Sequence, residues 1–305
     1  MFNLRGNIDS KRFGYILLIP AIAMFATFSL YPLFTGIYIS LTNFDIRNPA
    51  AAEFVAFDNF RRVLTDFGQG FGFYSSLLFT VIFALSVCVI SYVVGFSYAL
   101  ILNQNFRFRG FYRGLLLVPW VIPPVVYATN WRWILNDQFG FINTFLMNNG
   151  IINEPILFLA TRFNAQLTVI LTGAWRSYPF MMLMILAGLQ SIPDELYEAA
   201  RVDGASRLRQ IWHISLPGIL PTIVILLVLR IGSIMGVGFE KIILLYNGHT
   251  MEVADVISSF VYRRGLVEFD FGYATAVGLF NSVVNFVFLV AANRLANKVT
   301  GTGLW

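Results

Sequence analysis

Two arginines, Arg176 and Arg230, lie inside long apolar stretches, where a charged side chain costs roughly a few kcal/mol unless it is paired or hydrated. Each lies about ten residues from the end of its stretch that faces the same side, which at about 1.5 Å per residue places both near the middle of a bilayer. A planar guanidinium binds carboxylates and vicinal hydroxyls through paired hydrogen bonds. The pair therefore indicates a hydrated cavity for an anionic or hydroxyl-rich solute, unless backbone carbonyls or an acid of a partner chain satisfy both side chains.

Other reactive groups are scarce in the sequence. The apolar stretches contain neither Asp nor Glu, whereas an ion-coupled carrier normally needs an intramembrane carboxylate to bind its proton or cation. His213 and His249 have no Cys or carboxylate at metal-ligand spacing, and the chain has no Gly-Lys-Ser/Thr loop that would cradle a phosphate. We therefore expect no catalytic residue, no metal and no cofactor in this chain, and any ATP must be hydrolysed by another subunit.

The composition places these residues in a polytopic membrane protein, because 57% of the residues are hydrophobic and only 12% are charged. Six apolar stretches are long enough, at about 20 residues each, to cross a bilayer as helices. They are Tyr15–Tyr38, Phe73–Asn103, Tyr112–Leu135, Ala165–Gln190, Gly218–Phe239 and Phe271–Ala292. The predicted fold is all-α and transmembrane, with a cytoplasmic N-terminus at 1–14, a six-span domain at 15–292 and a cytoplasmic tail at 293–305.

Lysines and arginines are more frequent in the short loops on the side of both termini, and three of them precede the first crossing. The positive-inside rule therefore predicts that both termini and the 191–217 loop are cytoplasmic. On the other side, the polar segment Thr42–Thr65 predicts a short surface helix around Asp58–Leu64. The apolar stripe within Met251–Arg264 predicts a helix that lies on the membrane surface with its two terminal arginines facing outward.

The cytoplasmic loop between the fourth and fifth crossings has the signals of a helix–turn–helix. Acidic residues directly after Pro193 suit the positive end of a helix, and Gly204 can adopt the left-handed conformation that ends it. Ser206 can cap a second short helix that ends near Ile214, after which Pro217 opens the next crossing. The position between two crossings argues against DNA binding. It leaves open an amphipathic hairpin on the lipid and a docking surface for another protein.

The spacing Glu198-Ala199-Ala200, three residues, Gly204, nine residues, Ile214-x-Leu216-Pro217 resembles the cytoplasmic signature of bacterial ABC-importer permeases. In that family the first helix of the loop sits in a cleft of the ATP-hydrolysing subunit and transmits its closure. The resemblance implies a six-span type I ABC importer permease fold with a cytoplasmic coupling helix. It also implies that the ATPase-coupling residues are Glu198, Ala199, Ala200, Gly204, Ile214, Leu216 and Pro217.

The chain further resembles carbohydrate permeases related to the maltose system's larger subunit, and among them the LplB-like polysaccharide branch. This resemblance rests on Leu229-Arg230-Ile231-Gly232, Thr275 to Phe280 and Gly303-Leu304-Trp305. The maltose subunit's large extracytoplasmic insert and two extra N-terminal crossings are missing from this sequence, so no contact made by them is transferred.

The resemblance, together with the depth of the arginines, implies substrate-binding roles for Arg176, Ser177, Phe180, Arg230, Ile234, Met235 and Gly238. Packing is the alternative role for Phe180, and also for the pair Gly232 and Gly236.

We therefore expect a permease subunit of an ABC importer that moves an oligosaccharide across the bacterial inner membrane, uronate-containing if the arginines bind carboxylates. The expected partners are a second homologous permease, two nucleotide-binding subunits that hold ATP–Mg, an extracytoplasmic solute-binding protein and membrane lipid, but no nucleic acid. Two alternatives stay open: a secondary sugar carrier, and a membrane scaffold that binds a partner through the 191–217 hairpin.

Overall fold

The computed structural model describes residues 10–68, 72–235 and 254–300, and these are almost entirely helical. Five helices within them are long and apolar enough to cross a membrane, and a bent helix pair forms a sixth crossing if it is counted as one. In chain order the α-helices are α1 (Ser10–Phe25), α2 (Tyr31–Ser40), α3 (Asp58–Thr65), α4 (Phe73–Leu102), α5 (Arg109–Val121), α6 (Pro124–Ile134), α7 (Phe141–Asn148), α8 (Arg162–Gln190), α9 (Asp194–Val202), α10 (Arg207–Gln210), α11 (Leu216–Met235), α12 (Ile257–Tyr262) and α13 (Phe271–Thr300). The predicted all-α architecture is confirmed.

The described chain divides into two compact units, one of residues up to 65 together with 261–279, and one of residues 66–260 together with those from 280 onward. In the larger unit, α4 packs along α8 because Gly95 lets the two backbones approach. A Cβ added to Gly95 would lie only 2.8 Å from the backbone nitrogen of Met182. Around this contact lie buried apolar side chains, including Met181, Ile185 and Cys88, which is the single cysteine of the chain. This packing fixes α8, the helix that carries Arg176, Ser177 and Phe180 of the candidate site.

The smaller unit is organised by one buried amide. The Nδ2 group of Asn59 donates hydrogen bonds to the backbone carbonyls of Ser40, at 2.9 Å, and Thr42, at 2.8 Å, which fixes α3 against the end of α2. From the same helix, Arg62 forms an ion pair with Asp270 at 2.5 Å. The surface helix predicted around Asp58–Leu64 is confirmed as α3.

Two of the crossings contain a π-helical turn directly before a proline. In the first, the N–H of Tyr31 bonds to the carbonyl of Ala26; in the fifth, the N–H of Leu216 bonds to the carbonyl of Ile211. The next residue in each case is a proline, Pro32 or Pro217. A proline has no N–H to donate and its ring clashes with the carbonyl four residues earlier. The wider turn makes room for that ring, so the helix continues.

The third crossing is not the single continuous helix that the sequence predicted for Tyr112–Leu135. It consists of α5 and α6, which meet at an angle of 91°. The break lies at Ile122, whose ψ of 128° is extended, and at Pro123. Because a proline disfavours the helical conformation in the residue before it, two successive prolines end one helix and start another. Mean hydropathy does not register this break.

The fifth crossing begins earlier than predicted. Residues Arg207–Ile234 form one continuous helix through α10, the π turn and α11. The second short helix of the hairpin therefore does not end near Ile214, and Pro217 does not open the crossing, because the π turn accommodates the proline. The last helix also continues past the predicted boundary at Ala292, to Thr300. No glycine or proline occurs between those two residues to end it.

The apolar stripe of Met251–Arg264 does not lie on a membrane surface. Its described part is buried, with Val256 and Phe260 at 2% exposure or less, and the N–H of Ile257 donates a 2.9 Å hydrogen bond to Thr80 of α4. Arg263 is also buried rather than facing outward, and it pairs with Glu268 at 2.8 Å. A helical stripe predicts that one face is covered but not whether lipid or protein covers it.

Candidate functional site

The predicted hairpin forms as its local signals require. Helix α9 begins directly after Pro193 with two acidic residues in its first turn. It ends where Gly204 takes a φ of +74°, and the N–H of Ala205 closes the turn on the carbonyl of Ala200 at 2.8 Å. The Oγ of Ser206 accepts a hydrogen bond from the backbone N–H of Arg209, as expected of a helix cap. These features confirm the predicted helix, stop and cap.

The outer face of α9 is exposed. The small side chains of Ala199 and the neighbouring Ala200 leave a shallow surface, beside which Leu196 is 51% exposed and Val202 is 88% exposed. Glu198 faces Arg201 at 3.7 Å, but both side chains are mostly exposed, so the pair contributes little to stability. A short helix with accessible apolar side chains and an exposed carboxylate can insert into a groove of another protein.

The two halves of the coupling signature lie in different environments. Glu198, Ala199, Ala200 and Gly204 belong to the tip of the hairpin, whereas Ile214, Leu216 and Pro217 belong to the start of the fifth crossing. Leu216 packs against the buried cluster between α4 and α8. The first half can therefore contact another protein, and the second half connects the hairpin to the membrane-spanning core.

Within the crossings, Arg176 belongs to α8, and Arg230 of α11 reaches the neighbouring residue of α8. The Nη1 group of Arg176 donates a 2.8 Å hydrogen bond to the carbonyl of Ile122, at the break between α5 and α6. The Nη2 group of Arg230 donates a 2.7 Å hydrogen bond to the Oγ of Ser177, the residue that follows Arg176. The carbonyl that binds Arg176 is available because Pro123 and Pro124 interrupt the helical hydrogen-bond pattern there.

Each guanidinium also lies over an aromatic ring. Arg176 is 5.5 Å from the ring centroid of Tyr127, and Arg230 is 5.8 Å from that of Phe180. Trp175 stacks on Tyr127 with centroids 6.1 Å apart and meets Trp131 edge to face at 5.5 Å. Phe180 was among the predicted site residues, but Tyr127, Trp131 and Trp175 were not. The spacing of Tyr127 and Trp131, one helical turn apart, was the available signal.

The predicted substrate residues are only partly brought together. Arg230 contacts both Ser177 and Phe180, whereas Arg176, although it precedes Ser177, bonds at the break between α5 and α6. Ile234 is 8% exposed and packs in the core with Phe83 and Val87. Met235 ends α11, and Gly238 lies outside the described residues. Gly232 packs against Leu289, so packing is its structural role.

The described chain contains no group of three or more His, Cys, Asp or Glu residues that could hold a metal ion. The same ranges contain, first, half-buried Arg176 and Arg230 beside aromatic rings in the crossings and, second, an exposed, small-residue helix in the loop. The first can bind a polar solute and the second can dock a protein, which together are the features of a transport subunit.

Residues 91–301 match the family described as binding-protein-dependent transport system inner membrane component. The chain belongs to this family. It is 33% identical over 298 residues to the polygalacturonan/rhamnogalacturonan transport system permease protein YteP of Bacillus subtilis, covering 97% of this chain and 91% of that protein. It is also 31% identical over 287 residues to the trehalose/maltose transport system permease protein MalF of Thermococcus litoralis, covering 92% and 95%.

Among solved structures, the chain resembles one from a bacterial alginate ABC transporter in complex with an alginate pentasaccharide-bound periplasmic protein. The TM-score is 0.84 at 31% identity, over 98% of both chains. This confirms the predicted all-α ABC-importer permease fold, and the chain is a multi-pass inner-membrane transport permease. A chain of the MetNI methionine transporter, at a TM-score of 0.54 and 17% identity, shares the fold alone.

Proposed function

We propose that this chain is one of two permease subunits of an ABC importer and that its cargo is an acidic oligosaccharide. Two half-buried arginines carry the proposal: Arg176, which bonds at the break of the third crossing, and Arg230, which bonds to Ser177 of α8, each over an aromatic ring. Each guanidinium donates a hydrogen bond to a neutral oxygen, the carbonyl of Ile122 or the hydroxyl of Ser177. A carboxylate of the cargo would instead form an ion pair with two parallel N–H···O bonds, the bidentate arrangement that suits a planar guanidinium.

The relatives support the sugar class. Their names specify polygalacturonan and rhamnogalacturonan, or trehalose and maltose, and one similar structure is described as importing the acidic polysaccharide alginate. A trehalose/maltose permease is about as similar as the alginate permease, at 31% identity in both cases. Overall identity therefore does not separate acidic from neutral cargo, and the arginines are what favours the acidic class.

The energy for transport enters at α9. ATP–Mg is held and hydrolysed by two partner subunits, one of which receives the exposed face around Glu198 and Ala199 in a groove, and this chain binds no cofactor. Closure of the partner dimer moves the hairpin, and the crossings change from inward-facing to outward-facing. A solute-binding protein delivers the sugar on the outer side, and a second homologous permease supplies the other wall of the path. Both termini and the hairpin are cytoplasmic in this arrangement.

Uptake by the reconstituted importer tests the cargo assignment. Arg230→Gln removes the charge but keeps a donor for Ser177. We expect uptake of an acidic oligosaccharide to fall by about tenfold to one hundredfold, the equivalent of roughly 1.5–3 kcal/mol for a lost hydrogen bond to a charged group. Uptake of a neutral oligosaccharide of equal length should change much less.

Arg107→Gln is the matched control, because Arg107 lies exposed in the loop after α4. It should leave the uptake of both sugars unchanged. An equal loss of acidic and neutral uptake in Arg230→Gln would mean that the arginine supports the fold and not the charge of the cargo. Uptake by wild-type vesicles without ATP would contradict the ABC mechanism itself.

A further inference from the structure

The coupling hairpin, defined as residues 193–210, is held together internally as one body. Gly204 and Ala205 close α9 through backbone bonds to Arg201 and Ala200, at 3.1 Å and 2.8 Å. The side chain of Gln210 then donates a 3.0 Å bond to the carbonyl of Ala205, across the turn. Because α9 and α10 are joined through the turn as well as by the chain, a force on α9 moves the whole hairpin.

Helix α10 of the hairpin continues directly into the fifth crossing, and α9 is bonded to that crossing by a side-chain hydrogen bond. The hydroxyl of Tyr197 lies 3.0 Å from the Oγ of Ser215, and Ser215 is only 3% exposed. Tyr197 lies on the inner side of α9, away from exposed Glu198 and Ala199. A buried hydrogen bond in a low-dielectric setting is directional and holds its two partners in register.

Ser215 is the last residue of the π turn Ile211–Ser215. The hydrogen-bond pattern of the crossing changes at this turn, and π turns inside α-helices frequently lie at functional sites and are among the places where helices kink. The Tyr197 bond therefore attaches α9 of the coupling hairpin to the crossing at the π turn and not at a regular α-helical stretch. Motion of α9 is delivered where the crossing can bend.

Open space lies beside this attachment. A groove of about 320 Å³ is bordered by Leu100 and Asn103 at the end of α4 and by Tyr197, Gln210 and Ser215. Because of this groove, this side of the hairpin lacks the dense packing that is typical of a protein interior. The hydroxyl pair is the side-chain bond that spans from α9 to the crossing at this border.

We propose that Tyr197 and Ser215 form the pin that transmits the movement of the coupling hairpin to the π-helical hinge of the fifth crossing. Tyr197 is a positioning residue and contacts neither cargo nor nucleotide. The inference rests on the proposed function, because it assigns the pair a role in ATP-driven coupling. It predicts a defect in the number of sugars moved per ATP, with assembly and basal ATP hydrolysis retained.

The test uses the complete importer in proteoliposomes and compares Tyr197→Phe with Ser215→Ala. Each variant removes one hydroxyl and keeps the rest of the side chain. We expect sugar uptake per ATP to fall about threefold to tenfold in each, as for one lost net hydrogen bond, with basal ATPase activity near wild type. The double variant should be no worse than either single one, because both remove the same bond. Ser215→Thr keeps a hydroxyl, so we expect it to couple normally, unlike Ser215→Ala.

Ser191→Ala is the matched control, since the Ser191 hydroxyl bonds only to the Gly188 carbonyl of its own helix end. It should couple normally. Additive losses in the double variant, or normal uptake per ATP in Tyr197→Phe, would overturn the pin. If the wild-type importer itself showed no ATP-dependent uptake, the proposed function would fail instead, so the two failures are distinguishable.

Discussion

Gly204 allows a direct test of the hairpin geometry, because its backbone is left-handed and its surroundings are empty. Its φ is +74°, and a Cβ built there meets no atom within 4 Å. A substitution therefore adds backbone strain without a clash. That strain is about 1–2 kcal/mol for an alanine in the left-handed region, and a β-branched residue is still less compatible with it.

The backbone strain at position 204 determines the fraction of molecules in which the turn after α9 is closed. A penalty of about 1–2 kcal/mol lowers the population of the closed turn roughly 5-fold to 30-fold relative to its alternatives. We expect ATP-dependent uptake to decrease in the order Gly204, Gly204→Ala, Gly204→Val. Gly204→Asn should retain most activity, since asparagine tolerates the left-handed conformation. The measurement is initial uptake by vesicles, normalised to the amount of assembled complex.

Gly150 supplies a control with the same local strain. Its φ is +65°, and it too has nothing within 4 Å of an added Cβ, but it follows α7 and not the coupling helix. Gly150→Val should strain its own turn and leave uptake per complex unchanged. Wild-type uptake in Gly204→Val, or an equal loss in both valine variants, would refute the reasoning that the turn shapes the coupling surface.

Two further predictions concern stability. Gly95→Ala forces α4 and α8 apart and should lower the free energy of unfolding by roughly 1–3 kcal/mol, seen as a lower melting temperature in detergent, while Gly114→Ala, with open space around it, should not. Asn59→Ala leaves two backbone carbonyls without their donor and should cost roughly 1–3 kcal/mol locally, seen as faster proteolysis of the loop before α3. The exposed Asn149→Ala, which removes only a bond within its own helix end, should leave proteolysis unchanged.

The sequence predicted the hairpin well because its signals are local. A proline with acidic residues after it, a glycine able to adopt positive φ and a serine cap each decide the conformation of their immediate neighbours. Those signals lie within the segment from Pro193 to Ser206, and no distant contact is needed to realise them. The six-crossing architecture follows from hydropathy for the same reason, since each crossing depends on its own residues.

The partners of the two arginines could not be predicted from the sequence. The hydrogen bond of Arg176 to Ile122 joins residues 54 positions apart, and that of Arg230 to Ser177 joins residues 53 apart. The first depends on the break between α5 and α6 and the second on the packing of α11 beside α8, and no local pattern encodes either. The buried stripe around Val256 was wrongly placed on lipid for a related reason, because lipid and protein cover an apolar face equally well.

The lone cysteine has a practical consequence for following the motion proposed here. Cys88 is 2% exposed inside the α4–α8 contact, so water-soluble thiol reagents should hardly reach it in the folded protein. Its neighbours are apolar side chains, and the native sequence can therefore serve as its own silent background in labelling experiments. A spin or fluorescent probe introduced at Val202, on the exposed rim of α9, would report on that position alone, without first engineering a cysteine-free variant.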